Sequence, residues 1–343
     1  MKIGLAYDIK PVDSGPASED DDSSEEYDSP DTIDALASTI EDLGHETVRL
    51  GGGPEFLRNV VRADVDLVFN IAEGRGTHRS REAQVPSVLE MLGIPYTGSD
   101  PLTLAVALDK AVAKRIAASH GVRTPWSMLA ASVDDLDALG PEGFSYPLVV
   151  KPTYEGSSKG VRADSKVTDW ASLVRMVSLI TQEYRQPALV ERFVPGREVT
   201  VGIVGHTDPR VVGVMEVVPN TGLDDGFMYT IEVKRNYREL VTYACPPAME
   251  PQVIQAIERE ALAAFRALGC RDVARLDFRV SPEGEPVFIE ANPLPGMGSY
   301  SDLPIMAGLR GWRFRQLVDA VLTSAIVRAG VTPRPRAVAR SGR

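Results

Sequence analysis

Apolar residues fall along this chain in two rhythms, and each switch of rhythm marks an element. Lys2 to Tyr7 is a nearly continuous apolar run and reads as a buried strand. Behind Ser29-Pro30, a serine cap with proline in the first turn, Ile33, Leu36, Ala37, Ile40 and Leu43 repeat at helical spacing until Gly44 stops them. A strand over 46–50, a short helix and a strand over 65–70 continue the alternation. A helix with Val85, Val88, Leu89 and Leu92 on one face, closed by Gly93, follows. Such strand–helix alternation predicts an N-terminal α/β lobe with a parallel sheet over residues 1–100, ending near Ser99-Asp100-Pro101.

The pattern then changes. Helical stretches at 102–108 and 109–120, a strand near Trp126, a strong strand over 147–151 and a helix from about 168 to 181 predict a second lobe, 101–186. Residues 187–330 read mostly as strands and form a third lobe of α+β type. A long helix over 251–268 interrupts it, apolar at 253, 257, 261, 264, 265 and 268. A last helix carries Phe314, Leu317, Val318, Val321, Leu322 and Ile326. The tail, 331–343, holds four arginines and no acid, and is expected to be disordered.

Charge adds one local feature. Of 343 residues, 37 are Lys or Arg and 48 are Asp or Glu, a net −11; residues 13–34 contribute ten acids and no base, which leaves the rest near −1. The acidic stretch, 13–28, is too polar to pack and is expected to be a mobile loop or lid. With no basic face, nucleic acid is not an expected partner. No run of about 18 apolar residues exists, so no membrane span is expected. Met1–Ala6 is too short for the apolar part of a signal peptide, and two cysteines make no disulfide framework, so a cytoplasmic location is expected.

The sharpest chemistry lies near the end. Residues 274–280 and 286–292 read as hairpin arms around Ser281-Pro282-Glu283-Gly284-Glu285. A turn centred near Glu283 and Gly284 puts Asp277 opposite Glu290 and Arg275 opposite Asn292. Two carboxylates facing each other across a strand pair repel, and a hard divalent cation reverses that cost. The alternative is a solvated sheet face. A second feature is Lys151, at the end of an apolar strand, ahead of the donor-rich loop Glu155-Gly156-Ser157-Ser158-Lys159-Gly160, which could wrap phosphate oxygens but is no Walker A loop. A third is the segment 191–199, where Glu191 and Glu198 flank a turn and either could take ribose hydroxyls. Lys110 and Lys234, in a helical and a strand-like run, add cations. Singly, each of these is as readily a surface charge.

Together and in this order the segments resemble one family, the D-alanine–D-alanine ligases of the ATP-grasp superfamily. The likeness spans about residues 66–327. It rests on Leu92-Gly93-Ile94-Pro95-Tyr96-Thr97-Gly98-Ser99, Leu108-Asp109-Lys110, the 151–161 loop, 191–199, Cys245-Pro246, Arg275-Leu276-Asp277 and Glu290-Ala291-Asn292-Pro293-Leu294-Pro295-Gly296-Met297. It implies a three-lobed ATP-grasp fold and an ATP-dependent carboxylate–amine ligase working through an acyl phosphate. It implies ATP and two Mg²⁺ or Mn²⁺ ions, small carboxylate and amino-acid substrates, and a homodimer. By position it makes Lys110 and Lys151 phosphate ligands, Lys234 the γ-phosphate lysine, Glu191 to Val194 the adenine hinge and Glu198 the ribose partner. Asp277, Glu290 and Asn292 become metal ligands. Arg275 and the Gly296 N–H hold the oxyanion, Ser157 closes the loop and Ser301 binds the second substrate's carboxylate.

The departures cluster around the substrates. Where the family has a His-Gly pair, this chain has Glu73-Gly74. Arg235 stands where a Tyr is frequent beside the lysine, and Asp302 where an apolar residue follows the serine. Glu25 or Glu26 could replace the family's acidic anchor for the first substrate's amine. Arg75, Arg79, Arg81 and Arg235 point to a more acidic or larger first substrate than D-alanine. The expected activity is therefore a ligase with an altered first-substrate pocket. The alternatives are a true D-alanine–D-alanine ligase of cell-wall synthesis, a nucleotide-binding protein without ligase activity, or a phosphotransferase.

Overall fold

A computed structural model describes residues 1–10, 22, 24–222 and 224–332. β1 (Lys2–Tyr7) is the centre of a three-stranded parallel sheet, flanked by β2 (Glu46–Gly51) and β3 (Leu67–Ile71). The side chain of Ser29 accepts the Thr32 N–H and starts α1 (Pro30–Asp42), which lays Ile33, Leu36 and Ile40 on Ile3, Leu5 and Phe69. α2 (Gly53–Val60) and α3 (Gln84–Leu92) bury Phe56, Val60 and Leu89 against Leu50 and Val68. Gly93, at φ +66°, caps α3 in the left-handed region.

α4 (Pro101–Leu108) and α5 (Lys110–Ser119) meet at Asp109, whose carboxylate accepts the Val112 N–H and restarts the helix with Lys110 at its first position. β4 (Ser127–Ala130), β5 (Leu148–Pro152), β6 (Lys166–Val167) and β7 (Ala188–Arg192) form an antiparallel sheet in the order β4-β7-β5-β6, backed by α6 (Trp170–Glu183).

The third sheet is also antiparallel. It contains β8 (Arg197–Gly205) and β9 (Arg210–Pro219), followed by α7 (Ile231–Arg235), α8 (Tyr237–Leu240) and β10 (Val241–Ala244). α9 (Pro251–Ala267), β11 (Asp272–Val280), β12 (Pro286–Asn292), α10 (Asp302–Leu309) and α11 (Phe314–Ala329) complete the chain, with strand order β10-β9-β8-β11-β12. Phe265 of α9 packs with Phe278 and Phe288 of the hairpin, all at most 1% exposed. Each such burial contributes about 1.5–3 kcal/mol, which seats the hairpin firmly.

Two expectations change. Lys234 lies in a helix of five residues, not in a strand-like run; Thr230 caps it, and a single turn carries no readable periodicity. The acidic stretch does pack where it is described. Asp22 and Asp28 are buried, and Glu26 is almost so; Arg81 and the Gly156 N–H meet the Glu26 carboxylate, and the Gly160 N–H and the Tyr184 hydroxyl meet that of Asp22. Residues 13–21 and 23, and the tail from 333, lie outside the described residues. No helix among the described residues is long and apolar enough to cross a membrane.

Candidate functional site

The two antiparallel sheets face each other across a cleft. Lys110, Lys151, Lys234, Glu191, Val194, Glu198, Arg275, Asp277, Glu290, Ser157 and Asp302 all line it. Beside it opens a cavity of about 830 Å³, lined in part by Glu25, Glu26, Glu73, Arg235, Asn292, Gly296 and Ser301; the two share Ser157, Tyr229, Lys234, Arg275 and Asp302. That volume lies in the roughly 300–1,000 Å³ range of pockets that enclose drug-sized ligands. The residues singled out from the sequence thus surround one continuous space.

The hairpin has the expected register: Arg275 pairs with Asn292 and Asp277 with Glu290, with an irregularity just after Asp277. Arg275 lies 2.8 Å from Asp277 and 3.2 Å from Asp302, and Thr200 donates to Asp277 at 2.7 Å. Burial raises the Asp277 carboxyl, although Arg275 opposes it. Burial acts on Glu290 in the same direction but loses to Lys110, Lys151 and Arg275, which hold it at about 2. Lys110 Nζ is 3.3 Å from Glu290. Asn292 accepts the Leu294 N–H at 3.0 Å. No group of three or more His, Cys, Asp or Glu among the described residues is arranged to hold a metal. Two carboxylates and the Asn292 amide oxygen nevertheless make a hard oxygen set of the type that suits Mg²⁺ or Mn²⁺. Their present partners, Arg275 and Lys110, are cations.

Beneath the cleft runs a buried Lys–Glu–Lys chain. Lys151 Nζ is 2.7 Å from one Glu191 oxygen, and Lys114 Nζ is 3.3 Å from the other. Lys114 also donates to the Ile289 carbonyl, so it joins α5 to β7 and β12. Burial lowers Lys114 to about 8, with Glu191 opposing. The Glu191 side chain therefore points into this chain of charges, and only its backbone is available to a hinge. Glu198 accepts from Tyr229 N–H at 3.2 Å and Arg279 at 2.7 Å. Arg279, buried over the Phe193 ring at 4.7 Å, also donates to the carbonyls of Val194 and Gly196, and so shapes the turn before β8.

Ser157 and Ser158 sit at φ +51° and +60°, left-handed conformations that cost non-glycine residues about 1–3 kcal/mol each. The loop is held by outside partners. Gly156 N–H donates to Glu26, Gly160 N–H to Asp22, and the Ser158 hydroxyl to the Tyr229 carbonyl. Lys234 is half-buried, its desolvation lowers it, and no hydrogen bond or ion pair reaches it among the described residues. A Cβ on Gly296 would meet the Ser301 hydroxyl at 2.7 Å, so glycine allows that close approach.

The four arginines do not make an anion pocket. Arg75 is 3.1 Å from Asp8 and Arg79 is 3.5 Å from Asp109. Arg81 is 2.8 Å from Glu26 and 3.3 Å from Glu155, and Arg235 is 3.0 Å from Glu25. Acids of the same chain neutralise each one, so the expected acidic first substrate loses its support. The amine-anchor candidates Glu25 and Glu26 are engaged by the same pairs. Lys114 and Arg279 were not singled out from the sequence. Only Lys114 had a signal: it stands four residues after Lys110, on the same helix face.

The family model described as D-ala D-ala ligase C-terminus matches residues 130–323. A D-alanine–D-alanine ligase of Geobacter sulfurreducens is 34% identical over 292 residues, 85% of this chain and 87% of that protein. The uncharacterised protein y4sG of Sinorhizobium fredii is 32% identical over 302 residues, 85% and 86%. Among solved structures, the Bacillus anthracis D-alanine–D-alanine ligase complexed with ATP superposes with a TM-score of 0.72 at 23% identity, covering 96% of this chain and 99% of that one. The Enterococcus faecalis VanG D-Ala:D-Ser ligase gives 0.71 at 22%, covering 94% and 99%. These likenesses show the ATP-grasp fold.

Proposed function

The chain belongs to the D-alanine–D-alanine ligase family, ATP-dependent enzymes that form C–N bonds, and on that premise we propose that it joins a carboxylic acid to an amino acid through an acyl phosphate, with a donor pocket altered from that of the D-alanine enzymes. One observation carries the reading. Lys110, Lys151, Lys234 and Arg275 converge with Asp277 and Glu290 on a single cleft, and Asn292 lines the larger cavity beside it.

In this reading the donor's carboxylate oxygen attacks the γ-phosphorus of ATP and ADP leaves. The amine then attacks the acyl carbon and phosphate departs. Lys110, Lys151 and Lys234 offset phosphate charge while the phosphoryl group moves. Asp277, Glu290 and Asn292 would hold one or two Mg²⁺ or Mn²⁺ ions, which when bound neutralise phosphate oxygens. The Glu191–Val194 backbone faces the adenine and Glu198 the ribose. Arg275 and the Gly296 N–H face the tetrahedral oxyanion, and Ser301 faces the acceptor's carboxylate. Ser157 rides on the closing loop. Glu73, Arg235 and Asp302 line the altered donor side.

Free Cys245 and Cys270 suit a reducing, cytoplasmic location. Leu57 on α2, Val61 just past its end, Met91 on α3 and Leu102 on α4 are exposed apolar side chains, and they support a homodimer.

The test supplies Mg·ATP with acids and amino acids, singly and in pairs, and follows ADP and amide by mass spectrometry. The reading expects an amide from a donor other than D-alanine. Efficient D-alanyl-D-alanine formation from D-alanine alone would remove the altered pocket. ATP binding with no amide from any pair would remove the ligase.

A further inference from the structure

Asp302 opens α10 directly after Ser301, at the position where an apolar residue is usual in the family. An acid in the first turn of a helix is ordinary, but this one does not face solvent. Its side chain is 12% exposed and lies 3.2 Å from Arg275. Among the described residues that ion pair is the one direct partner of its carboxylate. It is also the one carboxylate among them that lines both the phosphate cleft and the larger cavity. The other acids nearby are engaged. Glu191 is held by Lys114 and Lys151, Glu198 by Arg279, and Glu25 and Glu26 by Arg235 and Arg81. The Tyr229 hydroxyl is bonded to that of Tyr243 at 2.7 Å. The charged and titratable groups facing Asp302 are Arg275 of β11, Lys234 of α7, Tyr229 just ahead of that helix and Tyr243 of β10.

An amino-acid acceptor is mostly an ammonium ion at neutral pH, and it cannot attack until it loses a proton. That proton must leave close to the acyl carbon, hence near Arg275, which faces the oxyanion, and near Ser301, which faces the acceptor's carboxylate. Asp302 contacts the first and follows the second in the chain. Resting on the ligase reading, we propose that Asp302 is the general base of the second half-reaction. Its carboxylate takes one proton from the acceptor's ammonium, and the freed lone pair forms the C–N bond at the acyl carbon. The tetrahedral intermediate then breaks its C–O bond to the phosphate. Phosphate departs with the second nitrogen proton, and Asp302 returns its own proton to water. The ion pair with Arg275 keeps the carboxylate in the cleft, beside the group that faces the oxyanion.

The test sets two nucleophiles against each other on the full chain. The acid and amino acid that give amide in the screen above are supplied with Mg·ATP and hydroxylamine. Hydroxylamine is largely unprotonated at neutral pH and traps an acyl phosphate as a hydroxamate without a base. The amide-to-hydroxamate ratio therefore reports the second half-reaction alone, whatever fraction of a variant is folded. Asp302→Asn, near-isosteric, should lower that ratio at neutral pH by about 100-fold or more, the contribution of a general base. The variant's ratio should then climb by about tenfold per pH unit as free amine replaces ammonium, while that of the wild type stays nearly flat. Asp302→Glu, which keeps a carboxylate, should recover most of the loss. A ratio in Asp302→Asn within about threefold of wild type, or a lowered ratio that does not rise with pH, would overturn the proposal and leave the ligase standing. So would an equal loss of both products, because Arg275 serves both nucleophiles and Asp302 would then only support it. Amide from the wild type without any hydroxamate would instead remove the acyl-phosphate reading, and this proposal with it.

Discussion

Asp272→Asn should loosen the joint that ties the start of β11 to the rest of the molecule. Asp272 is fully buried, and its carboxylate accepts from Gly98 N–H at 3.0 Å, the Ser324 hydroxyl at 2.7 Å and Arg328 at 2.7 Å. Arg328 in turn donates to the Tyr96 carbonyl at 2.7 Å. One carboxylate therefore gathers the loop after α3, the last helix and the strand that carries Arg275 and Asp277. The residue stands at φ +64°, which asparagine tolerates well, so the amide isolates the charge from backbone strain. Removing one partner of a buried pair costs about 3–5 kcal/mol. An unfolding entropy of about 2.1 cal/mol/K per residue gives about 0.7 kcal/mol/K for a chain of this length, so Tm should fall by about 4–7 °C. Differential scanning calorimetry of wild type, Asp272→Asn, Arg328→Met and the double variant measures it. The double variant should lose at least about 1 kcal/mol less than the sum of the singles. A Tm within about 1 °C of wild type, or strictly additive losses, would refute the reasoning.

Lys234→Met should lower kcat by about 10²–10³-fold with an unchanged or slightly raised Tm, because the ammonium is half-buried with no hydrogen bond or ion pair among the described residues; a large loss of stability would show a structural role. Glu290→Gln should raise the Mg²⁺ or Mn²⁺ concentration needed for half-maximal activity and cut turnover by about 10²-fold or more, so wild-type metal dependence would remove the metal assignment. Burial lifts the Glu82 carboxyl from about 4.3 in the unfolded chain to about 7, so between those values the native state holds a proton that the unfolded state has lost. Stability should therefore fall as pH rises through that window, and Glu82→Gln should flatten the fall. Parallel Tm–pH curves for the two proteins would contradict this.

The hairpin was legible because a period of two and a Pro-Glu-Gly turn fix the two arms and their facing residues. The expected pairs Asp277–Glu290 and Arg275–Asn292 are found. Nearer the turn the strands pair one residue out of that register, Phe278 with Phe288, and a bulge after Asp277, which counting does not reveal, makes up the difference. The parallel lobe was legible from caps such as Ser29 and Gly93, whose chemistry is local. What escaped is what sequence distance hides. Arg81 meets Glu26 across 55 residues and Glu155 across 74. Lys114 reaches Ile289 across 175. Such pairs decide whether an arginine is free to meet a substrate, and composition alone made four paired arginines resemble an anion pocket. The short helix around Lys234 escaped for a different reason, since five residues end before a period can repeat.

Oxygen transfer tests the central claim most directly. The amide-forming pair is supplied with its donor acid labelled with ¹⁸O in both carboxylate positions, together with Mg·ATP, and the released phosphate is weighed by mass spectrometry. The account predicts one ¹⁸O in each phosphate, carried over when the carboxylate oxygen bonds to phosphorus and the amine later displaces it. Amide formation with unlabelled phosphate would contradict the acyl-phosphate route.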